Sequence, residues 1–267
     1  MKKAKRFTSA LLLKLYFIVM LIYLVFPILI IIPISFSNND LMRFPPENLG
    51  IKWYISYFTD DVWIGATFLS LKVALIASLL AIVLGTMAVI ALERHVARLK
   101  TSISLVVTAP IIVPHIFIAL GVFILAIQLG LDDNAMTLAG AHATIAIPFV
   151  VLIVGAAFRQ LDHTYERAAR VLGAGPIRAF FSASFPMLMP AILAAAVFSF
   201  FVSFDELIIA QFLMSSQETL PMRIWADLRL SLSPTISAVA SVLIVVTTIG
   251  MGAAEILRRK GADLATD

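Results

Sequence analysis

The sequence lacks cysteine and is poor in charge, and each shortage excludes classes of protein. Because there is no cysteine, the chain has no disulfide framework, no thiol nucleophile and no thiolate zinc site. Charged residues make up 13% of the 267 residues, whereas 61% are hydrophobic and the mean hydropathy is +1.01. Soluble domains carry about 25% charged residues. The composition therefore excludes a secreted enzyme, a cytosolic Rossmann-type protein and a disordered chain.

Several functional motifs are absent as well. The sequence has no Gly-x4-Gly-Lys-Ser/Thr loop, so it cannot bind ATP by that route. It has no Gly-x-Ser-x-Gly motif, which argues against an intramembrane serine protease. An ion-coupled secondary transporter would favour inverted repeats, and the sequence contains no internal repeat. A channel is a further alternative, although no segment resembles a selectivity filter.

Six apolar stretches are long enough to cross a bilayer core, which takes about 20 apolar residues per helix. The stretches cover residues 11–35, 64–92, 101–128, 137–158, 187–214 and 234–257. The first follows a basic start, but its apolar run is about twice as long as a signal-peptide core and no small-x-small cleavage site follows it. The sequence therefore predicts an all-α membrane protein with six transmembrane helices.

Basic residues orient these helices, because cytoplasmic loops carry an excess of lysine and arginine. With the N-terminus inside, fifteen of the 20 basic residues lie at cytoplasmic ends. They are Lys2, Lys3, Lys5, Arg6, Lys14, Arg94, Arg98, Lys100, Arg159, Arg167, Arg170, Arg178, Arg258, Arg259 and Lys260. Four lie outside, namely Arg43, Lys52, Arg223 and Arg229, and Lys72 falls within the second stretch. The asymmetry predicts that both termini are cytoplasmic, so the basicity indicates topology and not a nucleic-acid partner.

The loop between the fourth and fifth stretches, residues 159–186, is unusual. Ala168, Ala169 and Leu172 share one face of a short helix, and small residues there permit another backbone to approach closely. Gly173 is placed to end that helix in a left-handed conformation, and Pro176 can start a second helix. The pattern indicates either an amphipathic helix resting on anionic lipid headgroups or a docking knob for a cytoplasmic partner.

Ala168, Ala169, Gly173 and Pro186 fall at the spacing of a known signature. The loop resembles that of the membrane subunits of binding-protein-dependent ABC importers, the MetI-like permease superfamily, and the resemblance extends over roughly residues 60–258. It includes Ser70-Leu71-Lys72-Val73-Ala74-Leu75 and Gly85-Thr86. The loop departs from the signature in three positions, with Arg167 where the family has Glu, and Ala183 and Phe185 at the later Ile and Leu positions.

The resemblance implies a coupling helix between helices 4 and 5 that contacts an ATPase. The implied contact residues are Glu166, Arg167, Ala168, Ala169, Leu172 and Gly173. Which charged side chain makes the contact stays open. The implied division of the chain is an N-terminal part at 1–63, a permease core at 64–258 and a cytoplasmic tail at 259–267.

The resemblance also implies the partners and the location. They are a second permease, two ATP-binding subunits and an extracytoplasmic substrate-binding protein, in a bacterial inner membrane whose lipid surrounds the chain. The chain itself is then no enzyme, because ATP and Mg²⁺ bind the ATPase subunits.

Polar residues inside the predicted helices are costly and indicate function. Ser203-Phe204-Asp205-Glu206 lies towards the outer end of the fifth helix, where at least one carboxylate is expected to face a partner helix or a cavity. The carboxylates could line a cation pathway, mark the membrane interface or pair with Lys72. His115 and His142 are predicted to make hydrogen bonds between helices instead of a metal site.

Ser203-Phe204-Asp205-Glu206 and the segment 232–240 resemble the polyamine-type subgroup. That resemblance implies putrescine or spermidine as the substrate. An opine, an amino-acid derivative or a phosphonate is the alternative.

Overall fold

The computed structural model describes the backbone of residues 2–94, 100–230 and 233–263, and the side chains of 12–94, 100–230 and 233–250. Its helices are α1 (Lys2–Ser35), α2 (Lys52–Thr59), α3 (Asp61–Arg94), α4 (Lys100–Ile112), α5 (His115–Leu129), α6 (Ala135–Arg159), α7 (Thr164–Val171), α8 (Pro176–Ala179), a π-helical segment (Phe180–Ser184), α9 (Phe185–Phe204), α10 (Ile208–Leu213), α11 (Leu220–Leu230) and α12 (Thr235–Asp263).

The all-α prediction is confirmed. Over the described ranges, the only β-type pairing is an isolated bridge between Ser37 and Leu49. Arg98 and Leu232 from the sequence analysis lie outside the described residues, and the side chains of the basic residues at 2–6 and 258–260 lie outside the described side chains.

The helices form two compact units. The first contains residues 1–64 and 224–267. In it, α12 packs against α1 and α2, and the Ser35 and Tyr54 hydroxyls share a hydrogen bond of 2.6 Å. The apolar side chains of α1 from Leu12 to Leu29 are largely exposed on this chain. A helix with such a surface needs lipid or another apolar helix around it.

The second unit contains residues 65–223. Its core forms where α6 packs against α9 and α4, and where α5 packs against α10. Leu138, Ile145 and Leu188 are fully buried there. At Gly85 a Cβ atom would lie 2.7 Å from the Cβ of Val150, so α3 and α6 cross at a distance that only glycine permits at this position.

The spans agree with the sequence in part. Among the described residues, four apolar helices are long enough to cross a membrane: Leu12–Ser35, Asp61–Arg94, Ala135–Arg159 and Pro176–Phe204. A fifth span results if α4 and α5 count as one. The sixth predicted stretch contains the shorter apolar helix Thr235–Gly250. The protein is therefore a multi-pass membrane protein.

The third predicted helix, 101–128, is not continuous. It breaks between Ile112 and His115, and the two halves are bent by 101°. Pro114 causes the break, since it has no N–H to donate, and the residue before a proline avoids the helical conformation. Pro114 itself is extended, with ψ of 133°, and α5 begins directly after it.

The fifth predicted helix, 187–214, starts within two residues of α9, at Phe185, but its predicted end is wrong. Helical structure begins earlier, at Pro176, and runs through the π-helical segment into α9. It ends at Phe204, and the chain starts the new helix α10 at Ile208. The physical reason for the second break is the side chain of Glu206, which bonds to the backbone and is described below.

Candidate coupling surface and intramembrane polar cluster

The loop after α6 folds into the predicted helix, turn and second helix. The end of α7 is a Schellman turn, in which Ala174 N–H donates to the Ala169 carbonyl at 3.0 Å and Gly173 N–H donates to the Arg170 carbonyl at 3.1 Å. Gly173 has φ of +92°, as the left-handed conformation at this position requires. Pro176 then opens α8.

Asp162 organises the beginning of α7. Its carboxylate accepts a 2.9 Å hydrogen bond from the Thr164 N–H, one of the N–H groups that a helix start leaves unpaired. Hydrogen bonds from Thr164 lower the pKa of Asp162 below its ordinary value. The helix is therefore defined at both ends by local interactions.

Glu166 points inward from α7 and holds the helix to the rest of the unit. It is 8% exposed, and its Oε2 lies 2.6 Å from Arg94 Nη2 at the end of α3. The same oxygen accepts a hydrogen bond from the Ser184 hydroxyl at 2.5 Å. Burial raises the pKa of Glu166, but the Ser184 hydrogen bond and the Arg94 charge outweigh it and lower the pKa below its ordinary value.

Two aromatic rings complete this arrangement. The guanidinium of Arg94 lies 5.7 Å from the Phe158 ring centroid and 5.2 Å from that of Phe180, within the range of cation–π attraction. We call Arg94, Phe158, Glu166, Phe180 and Ser184 the Glu166 anchor. It joins α3, α6, α7 and the π-helical segment, so α7 is bonded through it to three other elements.

Glu93 makes a second tie next to the anchor. Its carboxylate contacts Lys100 Nζ at 2.5 Å and Arg159 Nη1 at 3.2 Å. These pairs join the end of α3 to the start of α4 and the end of α6. Together with the anchor, they fix the framework from which α7 projects.

The other predicted coupling residues divide between two faces. Arg167, Ala168, Leu172 and Gly173 are exposed, whereas Ala169 is half-buried on the side of Glu166. Leu172 is 88% exposed and its neighbour Val171 87% exposed. The six residues therefore do not form one surface, because Glu166 and Ala169 face their own chain.

The second predicted site also divides. Ser203 is buried and forms a 2.8 Å hydrogen bond with Nδ1 of His142, which confirms the predicted helix-to-helix bond of His142. Phe204 stacks on Phe200 with ring centroids 5.6 Å apart. Asp205 is exposed, whereas Glu206 is 6% exposed.

Glu206 is held by backbone and by a histidine. Its carboxylate accepts hydrogen bonds from the N–H groups of Ile208 at 3.0 Å and Ile209 at 3.1 Å, which starts α10. His115 Nδ1 lies 3.5 Å from Glu206 Oε1. Of the two adjacent carboxylates, Glu206 therefore faces inward and Asp205 faces outward. Lys72 is exposed and makes no ion pair in the described part of the chain, so the suggested pairing of a carboxylate with Lys72 is not observed.

Sequence reasoning missed the partners of both buried carboxylates. Arg94 was noted only as an indicator of topology, although it lies 72 positions from Glu166. His115 was noted without a partner. A buried carboxylate requires a hydrogen-bond donor or a cation, and this rule could have prompted a search for partners. Arg94 and His115 stand at helix termini, the last residue of α3 and the first of α5.

Comparisons with known proteins are consistent with this architecture. The chain is 31% identical to the putrescine transport system permease protein PotI of Escherichia coli (strain K12) over 231 residues, which cover 83% of this chain and 82% of PotI. It is 29% identical to the spermidine/putrescine transport system permease protein PotC of the same organism over 238 residues, covering 89% of this chain and 90% of PotC.

Solved structures share the fold. A bacterial ABC transporter involved in the import of the acidic polysaccharide alginate superposes with a TM-score of 0.71 at 16% identity, over 94% of this chain and 95% of that chain. An amino acid ABC transporter gives a TM-score of 0.57 at 19% identity, over 77% and 96%. Residues 81–261 match the family described as binding-protein-dependent transport system inner membrane component. The chain belongs to this MetI-like family and is a permease subunit of an ABC importer.

Proposed function

We propose that this chain and a second permease together form the translocation pathway of an ATP-driven importer for a small organic cation, with a polyamine such as putrescine or spermidine as its substrate. The complex also contains two ATP-binding subunits, which hold ATP and Mg²⁺, and an extracytoplasmic substrate-binding protein. The permease lies in a bacterial inner membrane, crosses it six times and has both termini in the cytoplasm.

The observation that carries this proposal is the construction of α7. Its outward side chains Val171 and Leu172 are almost fully exposed, while Glu166 on its inner face is buried against Arg94. The end of α7 is apolar and exposed, while its inner face is fixed to the rest of the chain. Such a helix suits docking to a protein partner, because its backbone is ordered before binding. Closure of the ATPase would move α7, and the Glu166 anchor would pass that movement to α3, α6 and the π-helical segment as a two-state change.

The substrate class is supported by Asp205 and by the relatives. An exposed carboxylate within an apolar region favours a cation at its side, provided that the attraction is weak enough for release. Two similar proteins are named for putrescine and for spermidine/putrescine transport. Glu206 then has a positioning role, because it begins α10 directly after Asp205.

Uptake of labelled putrescine by cells producing the complete importer tests the energy source and the substrate together. We expect uptake to survive collapse of the ion gradient and to stop when ATP is depleted. We also expect unlabelled spermidine to compete with labelled putrescine for uptake. Loss of uptake with the ion gradient alone would favour a secondary transporter. Competition by an opine or a phosphonate, but not by spermidine, would favour an importer of another solute.

Neutral replacements separate the roles of the two carboxylates. Asp205→Asn removes an exposed charge, so we expect reduced cation uptake with the normal amount of assembled complex. Glu206→Gln weakens the start of α10, so we expect less assembled complex. Asp132, an exposed acid in the loop before α6, provides the control Asp132→Asn. Normal uptake kinetics in Asp205→Asn would contradict the pathway role and weaken the case for a cationic substrate.

The proposed topology has a separate test. Reporter fusions at Asp133 and Gly175 should lie on opposite sides of the membrane, outside and inside. If both fusions report the same side, the six-span arrangement is wrong.

A further inference from the structure

The exposed surface of the coupling loop carries mainly positive charge. Between Thr164 and Ser184 the sequence contains three arginines, Arg167, Arg170 and Arg178, and a single acid, Glu166. All three arginines are exposed, whereas Glu166 is buried and paired with Arg94. The chain thus neutralises Glu166 internally with an arginine from another helix. Asp162, which precedes α7, is exposed and accepts the Thr164 N–H, so the surface left for a partner is predominantly basic.

Apolar side chains lie among these arginines. Val171 is one turn from Arg167 on the same face of α7, and Leu172 follows it at the end of the helix. Beyond the Gly173 turn, Ile177 is 75% exposed beside Arg178. We call Arg167, Arg170, Val171, Leu172, Ile177 and Arg178 the basic knob. It combines exposed apolar side chains with cationic groups.

From these observations we infer that the basic knob docks into a groove of the partner ATPase that has an apolar floor and a rim of Asp or Glu carboxylates. The inference rests on the proposed coupling to an ATPase and adds the chemistry of the receiving surface. Arginine suits such a rim, since its planar guanidinium binds carboxylates with two parallel hydrogen bonds. Arg167 is prepared for this, because within the described residues its guanidinium bonds locally, through Nη2, to the nearby Thr164 hydroxyl at 3.1 Å.

The Glu166 anchor favours a protein groove over a lipid surface. A shaped groove gains from a rigid knob, because the backbone of α7 is already ordered before docking. A layer of anionic headgroups has no fixed shape, so attraction to it requires only the arginines and gives no role to the anchor. Headgroup binding is therefore the competing outcome of the test.

The experiment measures retention of the ATPase subunit by the permease complex in nanodiscs of the neutral lipid phosphatidylcholine. We expect Arg167→Glu and Arg170→Glu each to weaken binding tenfold or more, and Arg167→Lys to weaken it less. We also expect binding to the unaltered chain to fall with rising salt, and this dependence to decrease in the reversed variants. Arg43→Glu, which makes the same change of charge in an exposed pair of the other unit, should bind normally.

A cross-linker placed at Arg167→Cys identifies the contact directly. We expect cross-links to a segment of the ATPase that contains Asp or Glu, and we expect an acid-to-arginine exchange in that segment to restore binding of Arg167→Glu. Unchanged affinity and salt dependence in both reversed variants would overturn the inference. So would an effect of reversal that occurs only in nanodiscs containing phosphatidylglycerol, because it would assign the arginines to lipid.

One further variant separates this inference from the proposed function. Leu172→Asp replaces an exposed apolar side chain of the knob by an acid and should abolish docking whatever the charge of the rim. If Leu172→Asp fails to bind while Arg167→Glu binds normally, coupling through α7 stands and the acidic rim is wrong. If neither variant affects binding, both the coupling role and the inference fall.

Discussion

Replacing Glu166 should release the coupling helix from its own chain without altering the outward side chains. Glu166→Leu leaves Arg94 next to two aromatic rings with no carboxylate. Removing one partner of a buried ion pair costs about 3–5 kcal/mol. Because the side chain of Arg94 is 26% exposed and that of Glu166 10% exposed, solvent screening reduces the cost below this range, to about 2–3 kcal/mol.

That free energy corresponds to roughly a 30- to 150-fold increase in the undocked population of α7, since 1.4 kcal/mol is a factor of ten. Amide hydrogen exchange over residues 164–172 of the intact complex measures this population. We expect faster exchange in Glu166→Leu, with ATP hydrolysis continuing while uptake falls. Glu47→Leu removes the acid of an exposed pair whose side chains are 62% and 65% exposed, and it should leave exchange over 164–172 unchanged.

A double-mutant cycle makes the reasoning refutable. Arg94→Met combined with Glu166→Leu removes both charges, so the pair should exchange more slowly than Glu166→Leu alone. If the effects of the two substitutions simply add, the ion pair does not hold α7. Unchanged exchange in Glu166→Leu would refute the anchor altogether.

Three further outcomes follow from the geometry. Gly85→Ala places a Cβ 2.7 Å from Val150 and should destabilise the α3–α6 crossing by about 1–3 kcal/mol, seen as a lower Tm in detergent that Val150→Ala partly restores. Gly173→Ala forces φ of +92° on a residue with a Cβ and should cost about 1–2 kcal/mol, measured as faster exchange at the end of α7. Asp133 accepts hydrogen bonds from the Ser215 and Ser216 N–H groups, and these lower its pKa to about 2. Because the pKa of Asp133 is lowered, its contact stabilises the folded chain at pH values above the unfolded pKa of 3.8. The contact should therefore persist at neutral pH and weaken only as pH falls from about 4 towards 2. Asp133→Asn should remove that pH dependence of hydrogen exchange at Ser215.

The sequence was informative where apolar length and turn chemistry decide the structure. The runs that became α3 and α6 are long, apolar and bounded by polar residues, so a helix is the only way to satisfy their backbone in a membrane. Gly173 was likewise predictable, because a left-handed helix end has few alternatives to glycine. These features depend on neighbouring residues alone.

The breaks could not be predicted, because an apolar run looks the same whether it is straight or broken. Whether a proline such as Pro114 kinks a helix or turns the chain by 101° depends on what packs around it. The end of α9 depends on Glu206 bonding to the backbone of Ile208 and Ile209 in place of water. Side chains of this kind compete with the helix only in a suitable surrounding.

The inward positions of Glu166 and Glu206 also depend on residues distant in the sequence or on the surrounding structure. They give the two candidate sites the same arrangement. In each site two adjacent charged residues take opposite roles. Glu166 and Glu206 are buried and bonded within the chain, and their neighbours Arg167 and Asp205 are exposed. A charge can be left exposed in a defined direction only if the backbone that carries it is fixed, and a buried neighbour with two or more partners provides that. Substitution of the buried member should therefore alter exchange and assembly first, whereas substitution of the exposed member should alter docking or uptake in a complex that is assembled normally.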